Sequence, residues 1–193
     1  MLKANFITAQ EAAEKIQDGS TLCTIGMTLV SASESILKAI EKRFEMVGHP
    51  ADITLVHSCG QSDRKDGIQH LAHEGLVKRI VGSHWGLQPR WMEMIANSQV
   101  EAYCLPQGQI AQLYRSMACG LPGKMSKVGL GTFIDPRVEG GKMNDRTKPL
   151  PDIVDILEYG GEDYMFYKEI PLDTVLIRGT VCDEMGNLTT TEE

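Results

Sequence analysis

Short apolar runs alternate along the chain with stretches in which apolar residues recur every three or four positions. The first pattern predicts strands and the second predicts amphipathic helices. Strands are predicted at Thr21–Ile25, Ile53–Val56, Val77–Val81 and Val100–Leu105. Helices are predicted at Thr8–Asp18, Ser31–Phe44, Gln69–Leu76, Pro89–Asn97 and Gln109–Ala118. This alternation indicates βαβ units, and therefore an α/β fold with an open, largely parallel sheet and flanking helices.

Two of the predicted helices begin with a capping box. Thr8 is followed three residues later by Glu11, and Ser31 is followed at the same spacing by Glu34. In such a box the hydroxyl and the carboxylate each accept a hydrogen bond from a backbone N–H that the first helical turn leaves unpaired.

The pattern changes after Gly120, where glycine and proline interrupt the chain and no helical period is sustained. The β-prone runs Ile153–Leu157 and Tyr164–Tyr167 flank the turn Tyr159–Glu162, which predicts a β-hairpin. A last strand is predicted at Thr174–Ile177, and Gly186-Asn187 forms a further turn. The C-terminal part is therefore expected to contain a β-hairpin beside the parallel sheet.

Composition and charge narrow the function classes. With 42% hydrophobic residues, 193 residues can bury a core, and the formal charge is −7. Residues 151–193 carry eleven acidic and two basic side chains, which argues against a nucleic-acid protein. No apolar run approaches the ~20 residues of a membrane span, and the first residues do not resemble a secretion signal. Five cysteines without a Cys-x-x-Cys spacing predict neither a disulfide framework nor a zinc knuckle, so we expect a reducing cytoplasmic location.

Nucleotide and metal motifs are weak. Gly123-Lys124-Met125 lacks the serine or threonine of a P-loop, and Gly129-Leu130-Gly131 lacks the third glycine of a dinucleotide fingerprint. His70 and His73 would share one face of a helix and could bind a metal. Their sequence context matches no metalloprotease motif and no third ligand is evident, so we expect no metal and interpret them as surface or loop-anchoring residues.

Two strand ends could carry chemistry. Gly26 follows the first strand, where backbone N–H groups could point at an anion or a polarised carbonyl, although a tight turn also explains a glycine there. Pro106-Gln107-Gly108 follows a later strand. The glutamine amide could donate to a developing oxyanion and the glycine would let a ligand approach, but a structural turn is again an alternative.

Five ordered segments together resemble the N-terminal half of family I CoA-transferases, closest to the fused short-chain acetate/propionate type. They are Glu74–Lys78, Gly82–Gly86, Leu105–Gly108, Gly129–Arg137 and Gly140–Asn144. The resemblance covers nearly the whole chain. Residues 1–193 are therefore expected to be one incomplete N-terminal domain, whose partners would be the missing C-terminal half and further copies in a homo-oligomer.

The resemblance implies transfer of CoA between an acyl-CoA and a short-chain carboxylate through a glutamyl-CoA thioester. CoA would be a substrate, with no tightly bound cofactor. The family's oxyanion-donating glutamine maps onto Gln107, and Gly26 and Gly108 are assigned to CoA binding. The nucleophilic glutamate would belong to the missing half, because Glu139, Glu158 and Glu162 do not have the family's context. The chain alone is therefore expected to be inactive.

Two other classes remain open at this point. Sugar-phosphate isomerases and ligand-binding regulatory domains share this architecture, because fold does not fix function. A phosphate site should have basic residues at strand ends, whereas Lys78 and Arg79 lie at the start of a strand. A non-catalytic interaction module is the third possibility, which the acidic C-terminal part and the missing nucleophile favour.

Overall fold

A computed structural model describes residues 3–190. Through residue 118 its elements are α1 (Ala9–Glu14), β1 (Thr21–Thr24), α2 (Glu34–Val47), β2 (Ile53–His57), a 3-10 helix (Gly67–Leu71), β3 (Val77–Gly82), α3 (Pro89–Ala96), β4 (Glu101–Cys104) and α4 (Gln107–Ala118). They are followed by β5 (Gly123–Ser126), β6 (Val154–Tyr159), β7 (Glu162–Lys168), β8 (Thr174–Leu176), β9 (Val181–Cys182) and β10 (Leu188–Thr189). Within residues 3–190, no helix is long and apolar enough to cross a membrane.

Five strands form an open parallel sheet in the order β4-β3-β2-β1-β8. The predicted α/β class and largely parallel sheet are confirmed. Because all five strands run the same way, their carboxyl ends lie along one edge of the sheet. That edge is where open α/β sheets bind their ligands.

Both faces of this sheet are buried, which explains the nearly continuous apolar strands. Leu22, Leu55 and Ile80 belong to a core on the side of α2, the 3-10 helix and α3. The residues that follow each of them point to the opposite face, where α4 and the strands β6 and β7 complete a second core. Burying one large apolar side chain contributes about 1.5–3 kcal/mol, so the two cores hold the helices on the sheet.

The second core is covered by a three-stranded antiparallel sheet in the order β5-β7-β6. Strands β6 and β7 form the predicted hairpin, whose turn uses Gly160 and Gly161 at φ +64° and +78°. These left-handed conformations are those that a two-residue hairpin turn requires. The pairing of β5 with β7 was not predicted, because the two strands are far apart in sequence.

The first predicted capping box is confirmed and the second is wrong. The Thr8 hydroxyl accepts from Glu11 N–H at 3.2 Å, and the Glu11 carboxylate accepts from Thr8 N–H at 2.7 Å. Ser31, in contrast, has φ +60° and lies in a loop, and α2 begins only at Glu34. The Glu34 carboxylate instead accepts from Gly67 N–H at 2.9 Å and ties α2 to the 3-10 helix.

The helix predicted over Gln69–Leu76 is also wrong. The structure has the 3-10 helix there, which ends at Leu71, and an irregular segment follows. Gly75 has φ +87°, which an α-helix cannot accommodate. The apolar spacing that predicted a helix reflects burial of Ile68, Leu71 and Leu76 in the first core.

Candidate functional site

Gln107 is the first residue of α4 and lies at the carboxyl edge of the parallel sheet. Leu105 N–H donates to the carbonyl of Gly82 at 2.9 Å, which fixes the start of α4 beside the end of β3. The Gln107 side chain is exposed and makes no hydrogen bond within the described residues. Its amide is therefore available to a ligand, and the N-terminus of α4 adds positive partial charge nearby.

The segment Pro106-Gln107-Gly108 was predicted as a turn before a helix at Gln109, and this boundary is wrong. Pro106 has φ −60° and ψ 130°, and its carbonyl accepts from Ile110 N–H at 3.1 Å, so the helix already begins at Gln107. A Cβ built on Gly108 would meet nothing within 4 Å. The space around Gly108 is open to a ligand, and its role in CoA binding stays a prediction.

Gly26 follows β1 in a tight loop. Met27 and Val30 exchange two backbone hydrogen bonds of 3.0 and 2.9 Å. A Cβ on Gly26 would lie 2.8 Å from the Val30 carbonyl oxygen, and φ at Gly26 is +150°. The loop geometry therefore requires glycine, which supports the tight-turn interpretation. The assignment of Gly26 to CoA binding stays a prediction.

The segment Gly140–Asn144 runs antiparallel along the outer edge of β4. Cys104 N–H donates to the Gly141 carbonyl at 2.7 Å, and Met143 N–H donates to the Ala102 carbonyl at 3.0 Å. A Cβ on Gly141 would lie 2.5 Å from the Cys104 carbonyl oxygen. This segment carried the family resemblance, but its structural role, to fix the strand that leads into Gln107, was not predicted.

Asp135 and Arg137 organise the loop before that segment. The buried Asp135 carboxylate accepts from Gly131 N–H at 2.9 Å and from the Arg137 guanidinium at 2.8 Å. Arg137 also reaches Asp163 on β7 at 2.6 Å. The hydrogen bonds from Arg137 outweigh burial and hold the pKa of Asp135 well below its usual range. These residues anchor the loop.

His57 is a buried neutral imidazole at the same sheet edge. Complete burial lowers the pKa of His57 to about 4, against a partly compensating hydrogen bond from Nδ1 to the Cys59 carbonyl at 2.8 Å. A Cβ on Gly82 would lie 2.3 Å from the His57 ring, so glycine at that position makes room for it. His57 was missed because it lies in no short motif, and Gly82 was noted only within the segment Gly82–Gly86, without its contact with His57.

His70 and His73 lie in an ionic cluster, defined here as His70, His73, Glu34, Glu41 and Arg90. His73 Nε2 is 2.8 Å from Glu41, and the two ring nitrogens of His70 contact Glu41 and Glu34. Arg90 lies 3.3 Å from Glu41. Burial opposes the charged form, but hydrogen bonds to Glu41 and Glu34 raise the pKa of His70. The cluster joins α2 to the 3-10 helix and α3, a geometry that agrees with the loop-anchoring interpretation.

The ionic cluster also bears on metal binding. Glu34, Asp66 and His70 offer ligand atoms that lie within 4.8 Å of one another. The Lys38 ammonium, however, is 3.0 Å from Glu34 and 3.1 Å from Asp66. Both carboxylates are thus already paired with a cation of the chain, and we assign no metal here.

An open parallel sheet with an unpaired amide at its carboxyl edge is typical of an α/β ligand-binding or catalytic domain. The sequence pattern of the Coenzyme A transferase family matches residues 6–193. The chain therefore belongs to the Coenzyme A transferase family.

Individual relatives agree with this membership. The chain is 43% identical over 187 residues to "Caffeate CoA-transferase" of Acetobacterium woodii, covering 96% of this chain and 35% of that protein. It is 37% identical over 189 residues to "Acetate CoA-transferase YdiF" of Escherichia coli K12, covering 97% of this chain and 35% of that protein. The chain thus spans about a third of the length of these relatives.

Solved structures of a third relative agree in fold. The apoenzyme of acyl-CoA transferase YdiF from Escherichia coli O157:H7 matches with a TM-score of 0.94 and 35% identity, over 99% of this chain and 37% of that one. A thioester complex of the same protein with CoA matches with a TM-score of 0.89 and 36% identity, over 95% of this chain and 36% of that one. The predicted resemblance to CoA-transferases is confirmed, and the coverage of about a third agrees with a chain that forms part of an N-terminal half.

Proposed function

We propose that this chain is the N-terminal part of an acyl-CoA:carboxylate CoA-transferase, and that residues 1–193 form one incomplete domain of it. Family membership and the share of its relatives that the chain covers support this proposal. The substrates are an acyl-CoA and a short-chain carboxylate of the acetate or propionate type, and one relative carries the name acetate CoA-transferase. CoA takes part as a substrate, with no other cofactor tightly bound.

In the proposed reaction, a glutamate from the rest of the enzyme attacks the thioester carbonyl. CoA leaves as a thiolate, and an acyl-glutamyl anhydride remains. The thiolate then attacks the glutamyl carbonyl, which releases the first carboxylate and forms a glutamyl-CoA thioester. The second carboxylate reverses both steps and leaves as the new acyl-CoA. Covalent catalysis thus divides one difficult exchange into easier additions, each of which places negative charge on a former carbonyl oxygen.

The observation that carries the proposal is the position of the Gln107 amide. It is exposed, unpaired within residues 3–190, and located where α4 begins at the carboxyl edge of the sheet. The amide can donate to the developing oxyanion without adding a charge to the site. A preorganised donor of this kind contributes typically about 2.7–4 kcal/mol to the transition state.

Arg79 does not provide a phosphate-binding group for a sugar-phosphate site at the carboxyl edge of the sheet. Its guanidinium donates to Glu101 at 2.7 Å and lies over the Tyr103 ring at 5.6 Å, at the amino-terminal end of the strands. It is therefore already paired and remote from Gln107. The interaction-module alternative makes a different prediction, namely that the complete protein transfers no CoA.

The first test measures CoA exchange between acetyl-CoA and propionate. The complete protein should catalyse the exchange, whereas the chain alone should not, and mixing the chain with the remaining half should restore activity. Turnover by the isolated chain would contradict its incompleteness. An inactive complete protein that binds a protein partner would support the module alternative and overturn the enzyme proposal.

The second test is Gln107→Ala in the complete protein. We expect kcat to fall about 10²- to 10³-fold, because the oxyanion loses its donor. Gln112→Ala is the matched control, because Gln112 is exposed on the same helix away from the sheet edge. Equal kcat values for wild type and Gln107→Ala would remove the assigned role.

We also assign the enzyme to the cytoplasm, as its cysteine pattern suggests, and to a homo-oligomer, as its family resemblance implies. Fractionation of cells and sedimentation of the complete protein test these two assignments. Recovery in the membrane or extracellular fraction, or a monomer at micromolar concentration, would contradict them.

A further inference from the structure

Two buried glutamines connect the loops that follow β1, β2 and β3. Gln61 and Gln88 both have 0% exposure. Gln61 Nε2 donates to the Thr24 carbonyl, the last of β1, at 2.8 Å. With its amide oriented to satisfy both neighbours, Gln88 accepts from Gln61 N–H at 3.1 Å and donates to the His84 carbonyl at 3.3 Å. We call Gln61 and Gln88 the glutamine bridge.

Gly60 closes the contact between these loops. Its carbonyl accepts from Thr28 N–H at 2.9 Å, which holds the Gly26–Leu29 loop against the loop after β2. A Cβ on Gly60 would lie 2.7 Å from the His84 ring and 2.8 Å from the Gln88 amide. At Gly60 the loops after β2 and β3 are therefore packed without space for an additional methyl group.

The connection continues to the end of β4 and thus to Gln107. Leu105 N–H donates to the Gly82 carbonyl at 2.9 Å, and the Cys104 thiol donates to the Ser83 carbonyl at 3.1 Å. A continuous series of contacts consequently links the loop after β1 with the helix start that carries the candidate oxyanion donor.

The glutamine bridge is not explained by packing alone. The Gln61 Oε1 atom is buried and has no hydrogen-bond partner within residues 3–190. A buried acceptor without a partner costs free energy that an apolar side chain of similar volume would avoid. The amide remains useful because its Nε2 holds a specific backbone carbonyl at the end of β1.

We propose that Gln61 and Gln88 are positioning residues that set the loop Gly26–Leu29 relative to the Gln107 amide. This inference rests on the proposed function, because the acyl-CoA would have to lie between these two elements. A displacement of about 1 Å in such an arrangement can reduce turnover by about 10²-fold. Neither glutamine needs to touch the substrate.

Gln69 supplies a matched control. It is also buried, at 1% exposure, and its amide makes two hydrogen bonds to backbone groups. Nε2 donates to the Arg64 carbonyl at 2.7 Å, and Oε1 accepts from Arg90 N–H at 3.0 Å. These contacts join the 3-10 helix to the end of the loop after β2 and to α3, and they do not reach the loop after β1.

The test compares Gln61→Met, Gln88→Met and Gln69→Met in the complete protein. For the first two variants we expect kcat to fall about 10- to 100-fold, with KM for acyl-CoA changed less than about threefold. Gln69→Met should keep kcat within about twofold of wild type after correction for the folded fraction. A common loss of kcat in all three variants, or no loss in Gln61→Met and Gln88→Met, would overturn the inference.

Hydrogen exchange of the complete protein gives a second readout that does not depend on activity. Exchange of Thr28 N–H should accelerate at least about tenfold in Gln61→Met and stay near the wild-type rate in Gln69→Met. Unchanged exchange in Gln61→Met would contradict the positioning role. Gln88→Met provides the same test if Gln61→Met does not fold.

Failure of the positioning role can be distinguished from failure of the proposed CoA-transferase function. If wild type is active and Gln107→Ala is impaired, an indifferent Gln61→Met removes only the positioning role. If the complete wild-type protein does not transfer CoA, the proposed function fails, and with it the catalytic meaning of the bridge. Hydrogen exchange then decides alone whether the glutamines hold the loop.

Discussion

The segment between β2 and β3 is held at two places by different chemistry. Near the carboxyl edge of the sheet, Gln61 is fixed by neutral amide and backbone groups. Nine residues later, His70 is fixed between the carboxylates of Glu34 and Glu41. Both places also contact the start of α3, through Gln88 in the first case and Arg90 in the second.

The histidine in each region shows the same contrast. Burial keeps His57 neutral, with its pKa lowered to about 4, whereas the carboxylates of the ionic cluster raise the pKa of His70. The groups described at the carboxyl edge of the sheet, Gln61, Gln88 and the His57 imidazole, are neutral. Ionic groups occur instead where they join α2, the 3-10 helix and α3, and there stability depends on pH in the opposite direction to the His57 region.

The largest effect is expected from Gly82→Ala, which breaks the packing of the neutral region. The new Cβ would lie 2.3 Å from the His57 ring, and the ring is enclosed, so the backbone or the imidazole must move. We expect a loss of about 3 kcal/mol in the free energy of unfolding, measured by urea denaturation. Gly86→Ala is the control, because a Cβ there meets nothing within 4 Å. Equal stability of the two variants would contradict the packing described here.

A smaller effect is expected from His57→Gln, and it should show in how the free energy of unfolding depends on pH. Since the folded pKa of His57 lies below the unfolded value of about 6.5, wild type loses stability as the pH falls from about 6.5 toward 4. Between pH 7 and pH 4.5, wild type should lose about 2 kcal/mol more of its free energy of unfolding than His57→Gln, because the variant has no imidazole to protonate. Parallel pH profiles of wild type and variant would show that His57 is not held neutral.

His70→Gln should change the pH dependence in the opposite direction and by less. Since the folded pKa of His70 is raised, its contribution is fully present below about pH 6.5 and is lost as the pH rises through the folded pKa. Wild type should exceed the variant by about 1 kcal/mol at pH 6, with a difference that shrinks at higher pH. His49→Gln removes a more exposed partner of Asp18 and serves as control, with a change below about 0.5 kcal/mol. If the stability difference between wild type and His70→Gln grew with pH, the raised pKa of His70 would be contradicted.

Much of the fold was predictable because local patterns determine it. The strands β1 to β4 are apolar runs buried on both faces, and the capping box at Thr8 is a contact over three residues. The pairing of β8 with β1 was not predictable, because it joins positions about 150 residues apart. The helix predicted over Gln69–Leu76 failed because tertiary contacts and Gly75 override its apolar spacing.

The candidate site was less predictable. Gln107 was found through turn chemistry and family resemblance, and its catalytic role remains a prediction. Gln61 and Gln88 were missed because their partners are backbone carbonyls and N–H groups of other loops, for which no short sequence motif exists. The role of Gly141 against β4 was missed because the motif that contains it does not reveal its contact with Cys104.

The most direct test is an NMR titration of the histidine ring nitrogens in this chain. The prediction is that His57 stays neutral at pH 5.5 and titrates near pH 4, while His70 remains protonated above pH 6.5. It would be contradicted by His57 titrating near pH 6.5, or by His70 losing its proton below that pH. Either result would mean that the neutral His57 at the sheet edge and the charged His70 in the ionic cluster are not the states that the structure favours.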